Sequence, residues 1–176
     1  MSTHYTIFKA VWGWMGIAEG DKGMKKIVLP HGNRQDVEQI ILRKFPEALE
    51  NDTALESLAK IFEGYFKGEK ISQAIEIDWS GYSDFSIKVW RATQSIPWGE
   101  VRTYKWVSQY LQKPLSSRAI GNALGKNPFP IVVPCHRVVR SDGSLGGFSA
   151  PLGVVLKRKM LEMEGIRFDN KGRVLS

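Results

Sequence analysis

The chain has 176 residues, of which 43% are hydrophobic, and it carries a formal net charge of +7. This length suits one large domain or two small ones, and the hydrophobic content excludes a disordered polypeptide. The sequence has no run of about 18 apolar residues and does not begin with a basic and then apolar signal-peptide pattern. We therefore expect no membrane span, and a location in the cytoplasm, or in the nucleus if the cell has one.

The N-terminal half predicts a small antiparallel sheet followed by two helices. Residues 5–30 mix apolar and β-forming residues with spaced glycines, which is the pattern of short strands joined by tight turns. Apolar residues at helical spacing then predict helices over 34–45 and 54–67. Residues 73–79 favour a short strand or an extended linker. We place a domain boundary after Ser80, so that the first domain is 1–80.

The second domain, residues 81–176, is predicted to be mostly helical. Ser83 or Asp84 is the expected N-cap of a first helix, which Pro97 terminates. A last helix is predicted over 154–164, after a glycine-rich stretch.

Between these helices, two short ones are predicted over 103–111 and 116–126, with residues 112–115 as the turn. This is the layout of a helix-turn-helix. Any compact helical bundle contains similar pairs of short helices, so the layout alone does not establish DNA binding.

Charge is distributed unevenly between the two halves. Residues 1–80 contain 10 basic and 12 acidic side chains, whereas residues 81–176 contain 15 basic and 6 acidic ones. A polyanionic partner would therefore bind the second half. The alternative is that scattered lysines only keep the protein soluble.

The segment 127–139 contains the only cysteine of the chain, Cys135. Three prolines restrict the backbone that leads to it, which suits the presentation of a reactive group. A free cysteine is often only a small buried apolar residue. Here His136 and Arg137 follow directly, and we expect these neighbours to lower the pKa of the thiol and so favour the nucleophilic thiolate.

A base for this thiol is predicted in the adjacent histidine. Neighbouring residues point to different sides of the backbone, so we favour proton transfer from Cys135 to His136 through a water molecule. A carboxylate that orients the imidazole would come from Glu162 or Glu164. The alternative, that both glutamates belong to a solvated helix end, is not excluded by spacing alone. One cysteine and three separated histidines make a poor zinc ligand set, and we predict neither a metal nor a cofactor.

The hexapeptide from Pro134 to Val139, Pro-Cys-His-Arg-Val-Val, resembles the active-site motif of O6-alkylguanine-DNA alkyltransferases. The resemblance extends from about Asp84 to Gly165, whereas residues 1–80 match in general layout only. Its other matching segments are 96–104, 117–121, 127–128, 141–149 and 161–165. It implies an α+β fold, with a ribonuclease-H-like N-terminal domain of a small antiparallel sheet and helices, and a winged-helix-like C-terminal domain that carries the helix-turn-helix.

The resemblance also implies an activity. Family members of this type flip an O6-alkylguanine, and as we expect an O4-alkylthymine, out of double-stranded DNA from the minor groove. The alkyl group then passes irreversibly to the cysteine, so each molecule repairs one lesion. We expect a monomer without accessory cofactors.

Residue roles follow from the same resemblance. Cys135 would accept the alkyl group, His136 would act through water, Glu164 would orient His136, Asn127 would brace the turn, and Tyr104 would donate to the guanine ring. Further contacts to the base are implied for Pro130, Val138, Gly146, Phe148 and Ser149. Ser149 and nearby backbone would bind O6, while the carbonyls of Cys135 and Val138 would accept from the exocyclic amine.

Arg118 resembles the arginine that fills the space left by the flipped nucleotide, which would offset part of the few kcal/mol that flipping costs. The other implied DNA contacts are Thr103, Tyr104, Ser117, Ala119, Gly121, Asn122 and Arg137. The small side chains beside Arg118 would let the helix backbone approach a minor groove, although they would also suit tight helix packing.

Two departures from the family pattern affect the pocket. Phe148 stands where many relatives have tyrosine, and Ala150-Pro151 stands where glycines are common, which places pocket width and loop mobility in question. Two other functions compete. An alkylguanine-sensing protein would bind the lesion without repairing it, but such relatives replace the cysteine. A cysteine hydrolase would use Cys135 and His136 as nucleophile and base, although adjacent residues suit that role poorly.

Overall fold

The structure is a computed structural model that describes residues 2–112 and 117–175. The chain divides into two compact units, residues 1–80 and 81–176. Among the described residues, no helix is long and apolar enough to cross a membrane.

The first unit is a four-stranded sheet covered by two helices. Its strands are β1 (His4–Ala10), β2 (Gly13–Gly20), β3 (Gly23–His31) and β4 (Leu49–Glu50), in the order β3-β2-β1-β4. The first three strands form antiparallel hairpins, and β4 pairs with β1 in parallel. The antiparallel sheet predicted over 5–30 is therefore confirmed, while β4 was not predicted.

Helices α1 (Arg34–Lys44) and α2 (Asp52–Tyr65) lie close to the predicted ranges. Side chains of Asn33 and Asn51 cap their N-termini by accepting backbone N–H groups. Helix α1 packs closely on the sheet at Gly16, where a Cβ atom would lie 2.6 Å from Val37 Cγ1. The segment 73–79 contains an isolated bridge between Ile77 and Met24 rather than a regular strand.

Helices make up most of the regular secondary structure of the second unit, as predicted. Its helices are α3 (Asp84–Gln94), α4 (Tyr104–Tyr110), α5 (Ser117–Gly125) and α6 (Gly153–Met163). The predicted N-cap, Ser83, accepts from the backbone N–H of Ser86. Buried Trp90 of α3 donates from its indole to the carbonyl of Ala123 in α5, 2.9 Å away, and so joins the two helices. Of the predicted helix-turn-helix, turn residues 113–115 lie outside the described residues.

Two short strands, β5 (Arg102–Thr103) and β6 (Val138–Val139), pair in parallel in this unit. Strand β5 leads directly into α4, because Thr103 is also its N-cap and accepts from the N–H of Trp106. Strand β6 directly follows a single turn of 3-10 helix, Cys135–Arg137. This pairing therefore ties Tyr104, the first residue of α4, to the segment that carries Cys135.

Candidate active site

Cys135 begins a single turn of 3-10 helix, Cys135–Arg137, and the residues before it form a tightly bonded loop. Asn127 bonds this loop at three places: its side-chain oxygen accepts from Phe129 N–H, and its amide nitrogen lies 2.9 Å from Val133 O and 3.2 Å from Cys135 Sγ. Ile131 is held at a φ of 78°, a strained conformation for a β-branched residue. The thiol is thus positioned by a rigid loop, and Asn127 contacts the sulfur itself.

The histidine after the cysteine belongs to a buried network. Nε2 of His136 lies 2.8 Å from Glu164 Oε1, while Arg137 donates to Glu164 from Nε at 2.7 Å and from Nη2 at 3.0 Å. Arg137 also donates to the carbonyl of Ile96. All three residues of the network are at most 8% exposed. One carboxylate therefore holds both residues that follow the reactive cysteine.

The network fixes the charge states of its members. Burial raises the pKa of Glu164, but the bonds from His136 and Arg137 outweigh it and lower that pKa to about 2. Burial also lowers the pKa of His136, and the nearby Glu164 only partly opposes this. Because an ionised carboxylate can only accept, we assign the proton of the neutral imidazole to Nε2. The buried Nδ1 atom then carries the lone pair and can act as a base.

This arrangement distinguishes the two glutamates between which residue spacing alone could not choose. Glu162 is exposed and pairs with Arg158 at 2.8 Å, whereas Glu164 is buried against His136. It also argues against the predicted DNA contact of Arg137. The Arg137 guanidinium forms a buried bidentate ion pair with Glu164. Breaking this pair would be strongly unfavourable, because it would leave the buried Glu164 charge unpaired.

The expected effect of His136 and Arg137 on the thiol pKa is wrong. The pKa of Cys135 is raised, because the residue is 9% exposed and burial disfavours the thiolate. Some groups lower the pKa of Cys135 and so oppose the effect of burial: the Asn127 amide, the positive charge of Lys157, and backbone N–H groups at Cys135 and His136.

Lys157 is the residue that sequence reasoning missed. It lies on α6, is 1% exposed, and its ammonium donates to Val138 O at 2.6 Å and to Leu145 O at 2.5 Å. Burial lowers its pKa to about 8, while the nearby Cys135 thiolate would raise it. The available signal was its position in the helix: Met160 and Leu161, three and four residues further on, are core residues on the same face.

Tyr104 and Ser149, two of the residues predicted to contact the base, lie beside glycines of the second unit. Tyr104 is half-buried between two glycines: a Cβ atom at Gly146 would lie 3.0 Å from its hydroxyl, and one at Gly121 would lie 3.8 Å from its ring. Burial raises the Tyr104 pKa, as does the charge of Cys135. The Ser149 hydroxyl would lie 3.5 Å from a Cβ atom at Gly125, so it faces the end of α5.

The remaining predicted base contacts have mixed exposure. Pro130 is buried and forms a bridge to Val133, while Phe148 is half-buried. The carbonyls of Cys135 and Val138 already accept from Val138 N–H and Lys157 respectively. Each carbonyl oxygen has two lone pairs, so both can accept a further donor.

The predicted DNA contacts on α5 are accessible. Ser117, Arg118 and Asn122 are exposed, and Ala119 and Gly121 are half-exposed. Within residues 2–112 and 117–175, Arg118 has no ion-pair partner, so its side chain is available to a ligand. Thr103 is half-buried in its capping role.

The network predicts a specific dependence of stability on pH. A fall in the Glu164 pKa from its usual 4.5 to about 2 corresponds to about 3 kcal/mol. Because the folded-state pKa is depressed, this stability is present above pH 4.5 and is lost as the pH falls towards 2. Glu164→Gln should therefore lower the free energy of unfolding by about 3 kcal/mol at pH 7. In denaturant titrations, the difference from the unsubstituted protein should shrink as the pH approaches 2.

Glu162→Gln is the matched control on the same helix. Because Glu162 is exposed, its loss should change the unfolding free energy by less than about 1 kcal/mol. A Glu164→Gln difference that stays constant from pH 7 to pH 2 would contradict the assignment of an ionised, buried carboxylate.

Comparison with known proteins places the site in a family. A model described as 6-O-methylguanine DNA methyltransferase, DNA binding domain, matches residues 84–166. A methylated-DNA--protein-cysteine methyltransferase of Sulfurisphaera tokodaii is 36% identical, over 92% of this chain and 93% of its own. One of Methanosarcina acetivorans is 32% identical, over 92% of this chain and 98% of its own.

Solved structures agree. Mycobacterium tuberculosis OGT in complex with DNA is 30% identical, with a TM-score of 0.75 and 92% of each chain covered. The O6-methylguanine-DNA methyltransferase of Pyrococcus kodakaraensis is 25% identical, with a TM-score of 0.68, covering 93% of this chain and 99% of its own. The predicted α+β fold class is confirmed. The chain belongs to the family of methylated-DNA--protein-cysteine methyltransferases.

Proposed function

We propose that this protein repairs O6-alkylguanine, and also O4-alkylthymine, in double-stranded DNA by transferring the alkyl group to Cys135. The observation that carries the proposal is the position of this sulfur: 3.2 Å from the Asn127 amide, next to a neutral histidine that a buried carboxylate orients. The relatives named above are methyltransferases that act on methylated DNA and a protein cysteine, and a similar structure was solved with DNA.

The reaction begins with loss of the thiol proton to His136 Nδ1 through a water molecule. The Cys135 thiolate then attacks the alkyl carbon, a C–S bond forms, and the bond from that carbon to O6 breaks. Negative charge develops on the leaving guanine, towards which Tyr104 donates its hydroxyl hydrogen bond. The guanine finally takes up one proton and His136 gives up the one that it accepted, so that thiol and alkylguanine become thioether and guanine. His136 transiently bears charge, which the adjacent Glu164 carboxylate stabilises.

The product explains the stoichiometry. A thioether is chemically inert, so each protein molecule repairs one lesion. The same chemistry disfavours the alkylguanine sensor, since a protein that only binds the lesion has no use for a positioned thiol. A cysteine hydrolase would turn over an ester or amide substrate repeatedly through an acyl-enzyme thioester that water cleaves, whereas alkyl transfer to sulfur leaves a thioether.

DNA would be bound as a duplex, by a monomer, through α5 in the minor groove. Exposed Arg118 lies at the start of α5, where it can enter the stack as the damaged base leaves. The small neighbours of Arg118 leave the helix backbone free to approach the groove. The protein would act where the cell keeps its DNA, in the cytoplasm or in a nucleus.

Cys135→Ala tests the acceptor. The substitution removes the nucleophile but leaves the DNA-binding surface unchanged, so transfer of a radiolabelled methyl group from duplex DNA should be abolished. Affinity for the same duplex, measured by fluorescence anisotropy, should stay within about threefold, less than 1 kcal/mol. Labelling of the variant at the rate of the unsubstituted protein would show that the acceptor is wrongly assigned.

Lys157→Met tests the buried ammonium. Loss of its charge should raise the pKa of Cys135, and each unit of increase lowers the thiolate fraction about tenfold near neutral pH. The rate of reaction with free O6-benzylguanine should fall, and in a plot of rate against pH the rise in rate should move to higher pH. Lys159→Met is the control, because Lys159 is exposed on the same helix. A slower reaction with an unshifted pH profile would mean that Lys157 only supports the fold.

Arg118→Ala tests the role of α5. If the arginine fills the vacated stack, repair of duplex DNA should slow by about tenfold or more, since flipping costs a few kcal/mol. Reaction with the free base O6-benzylguanine needs no flipping and should be unchanged. Arg167→Ala removes an equal charge from an exposed position and is the control. Equal losses on duplex and free base would remove the proposed role of Arg118.

A further inference from the structure

Arg140 is an exposed arginine to which the proposed reaction assigns no role. It directly follows β6, and a tight turn fixes its backbone: its N–H donates to Ser144 O at 2.9 Å, and its carbonyl accepts from Gly143 N–H at 3.0 Å. Among residues 2–112 and 117–175, no hydrogen-bond or ion-pair partner binds its guanidinium. A rigid backbone thus presents a guanidinium that no described residue hydrogen-bonds, and its positive charge also acts on the exposed Asp142 carboxylate.

The side chain borders a cavity of about 400 Å³. Leu145, Val154 and Val155 provide apolar walls, and a second arginine, Arg158, also lines it. Arg158 is already engaged, because it donates to Glu162 at 2.8 Å and its guanidinium lies 4.8 Å from the Phe168 ring centroid. Of the two arginines in the described lining of the cavity, Arg140 is therefore the one whose guanidinium can still bind a ligand.

This cavity adjoins the reactive site through one residue. Gly146 lines the cavity, and a Cβ atom built on it would lie 3.0 Å from Tyr104 Oη and 3.7 Å from Arg140 Cγ. The charge of Arg140 is close enough to oppose the rise in the Tyr104 pKa that burial causes. Arg140 consequently lies beside the hydroxyl that would contact the flipped base.

We propose that Arg140 binds a phosphate next to the damaged nucleotide and so holds the DNA strand while the base occupies the site. This inference rests on the proposed function. A base that contacts Tyr104 brings its own sugar and phosphates to the mouth of the site. A guanidinium binds a phosphate through paired, charge-assisted hydrogen bonds, which give both affinity and orientation. An arginine whose guanidinium is hydrogen-bonded to no described residue suits that ligand, whereas an apolar ligand would form no hydrogen bond with it.

The experiment measures alkyl-transfer rates of Arg140→Ala on three substrates: a duplex with O6-methylguanine, duplexes with a neutral methylphosphonate at one linkage flanking the lesion, and free O6-benzylguanine. We expect about a tenfold loss on the native duplex, the size of one charge-assisted contact. The loss on the free base should be under twofold. A methylphosphonate at the contacted linkage should slow the unsubstituted protein but not slow Arg140→Ala further.

Two controls sharpen the result. Arg158→Ala, on the same cavity, should lose less than twofold because its guanidinium is already paired. Arg140→Ala should also reduce the slope of log affinity against log salt concentration by about 0.9, as expected for one lost phosphate contact. Arg140→Lys should recover part of the rate on the native duplex.

Two results would overturn the inference. An equal loss on duplex and free base would mean that Arg140 acts only through Tyr104. A phosphate contact beside the lesion would be excluded if Arg140→Ala repaired the native duplex at an unchanged rate. It would also be excluded if Arg140→Ala remained slower than the unsubstituted protein on both methylphosphonate duplexes. Absence of transfer by the unsubstituted protein on every substrate would instead contradict the proposed function itself.

Discussion

The Glu164 carboxylate is the group on which the geometry of the reactive segment depends. It lies at the end of α6, and it accepts from Arg137 and His136, the two residues that follow Cys135 in the chain. These bonds fasten the 3-10 turn to α6 and fix the tautomer of the imidazole. Arg137 compensates the carboxylate charge, so His136 can remain neutral and serve as a base although the site is buried.

The surroundings of the Cys135 thiol have opposing effects on its ionisation. Burial protects Cys135 from unspecific reaction but raises its pKa, and a thiol must lose its proton to attack. Asn127 and Lys157 provide the opposing interactions, and Lys157 carries the larger structural cost because its own ammonium is buried. Its two carbonyl partners belong to Val138 and Leu145, so the same side chain also joins β6 to the loop that leads to Gly146.

The sequence predicts the fold better where interactions are local. Helix α3 and its Ser83 cap follow from apolar spacing and a capping side chain, whereas β4, β5 and β6 are two-residue strands whose pairing comes from distant segments. Residue spacing could not distinguish Glu162 from Glu164. Side chains two residues apart on a helix point in different directions, and which of them is buried depends on how the helix packs. Lys157 was missed because a lysine in a helix is usually solvated. Arg137 was expected to contact DNA because of the family resemblance, but the 3-10 turn directs its guanidinium into the protein.

Transfer of one alkyl group to one sulfur is the central claim, and peptide mass mapping tests it most directly. The protein would be incubated with an excess of duplex DNA containing O6-methylguanine, digested, and measured alongside the repaired DNA. The account predicts one added methyl group on the peptide that contains Cys135, and one guanine restored per protein molecule. A methyl group on another peptide, or restoration of many guanines by each molecule, would contradict it.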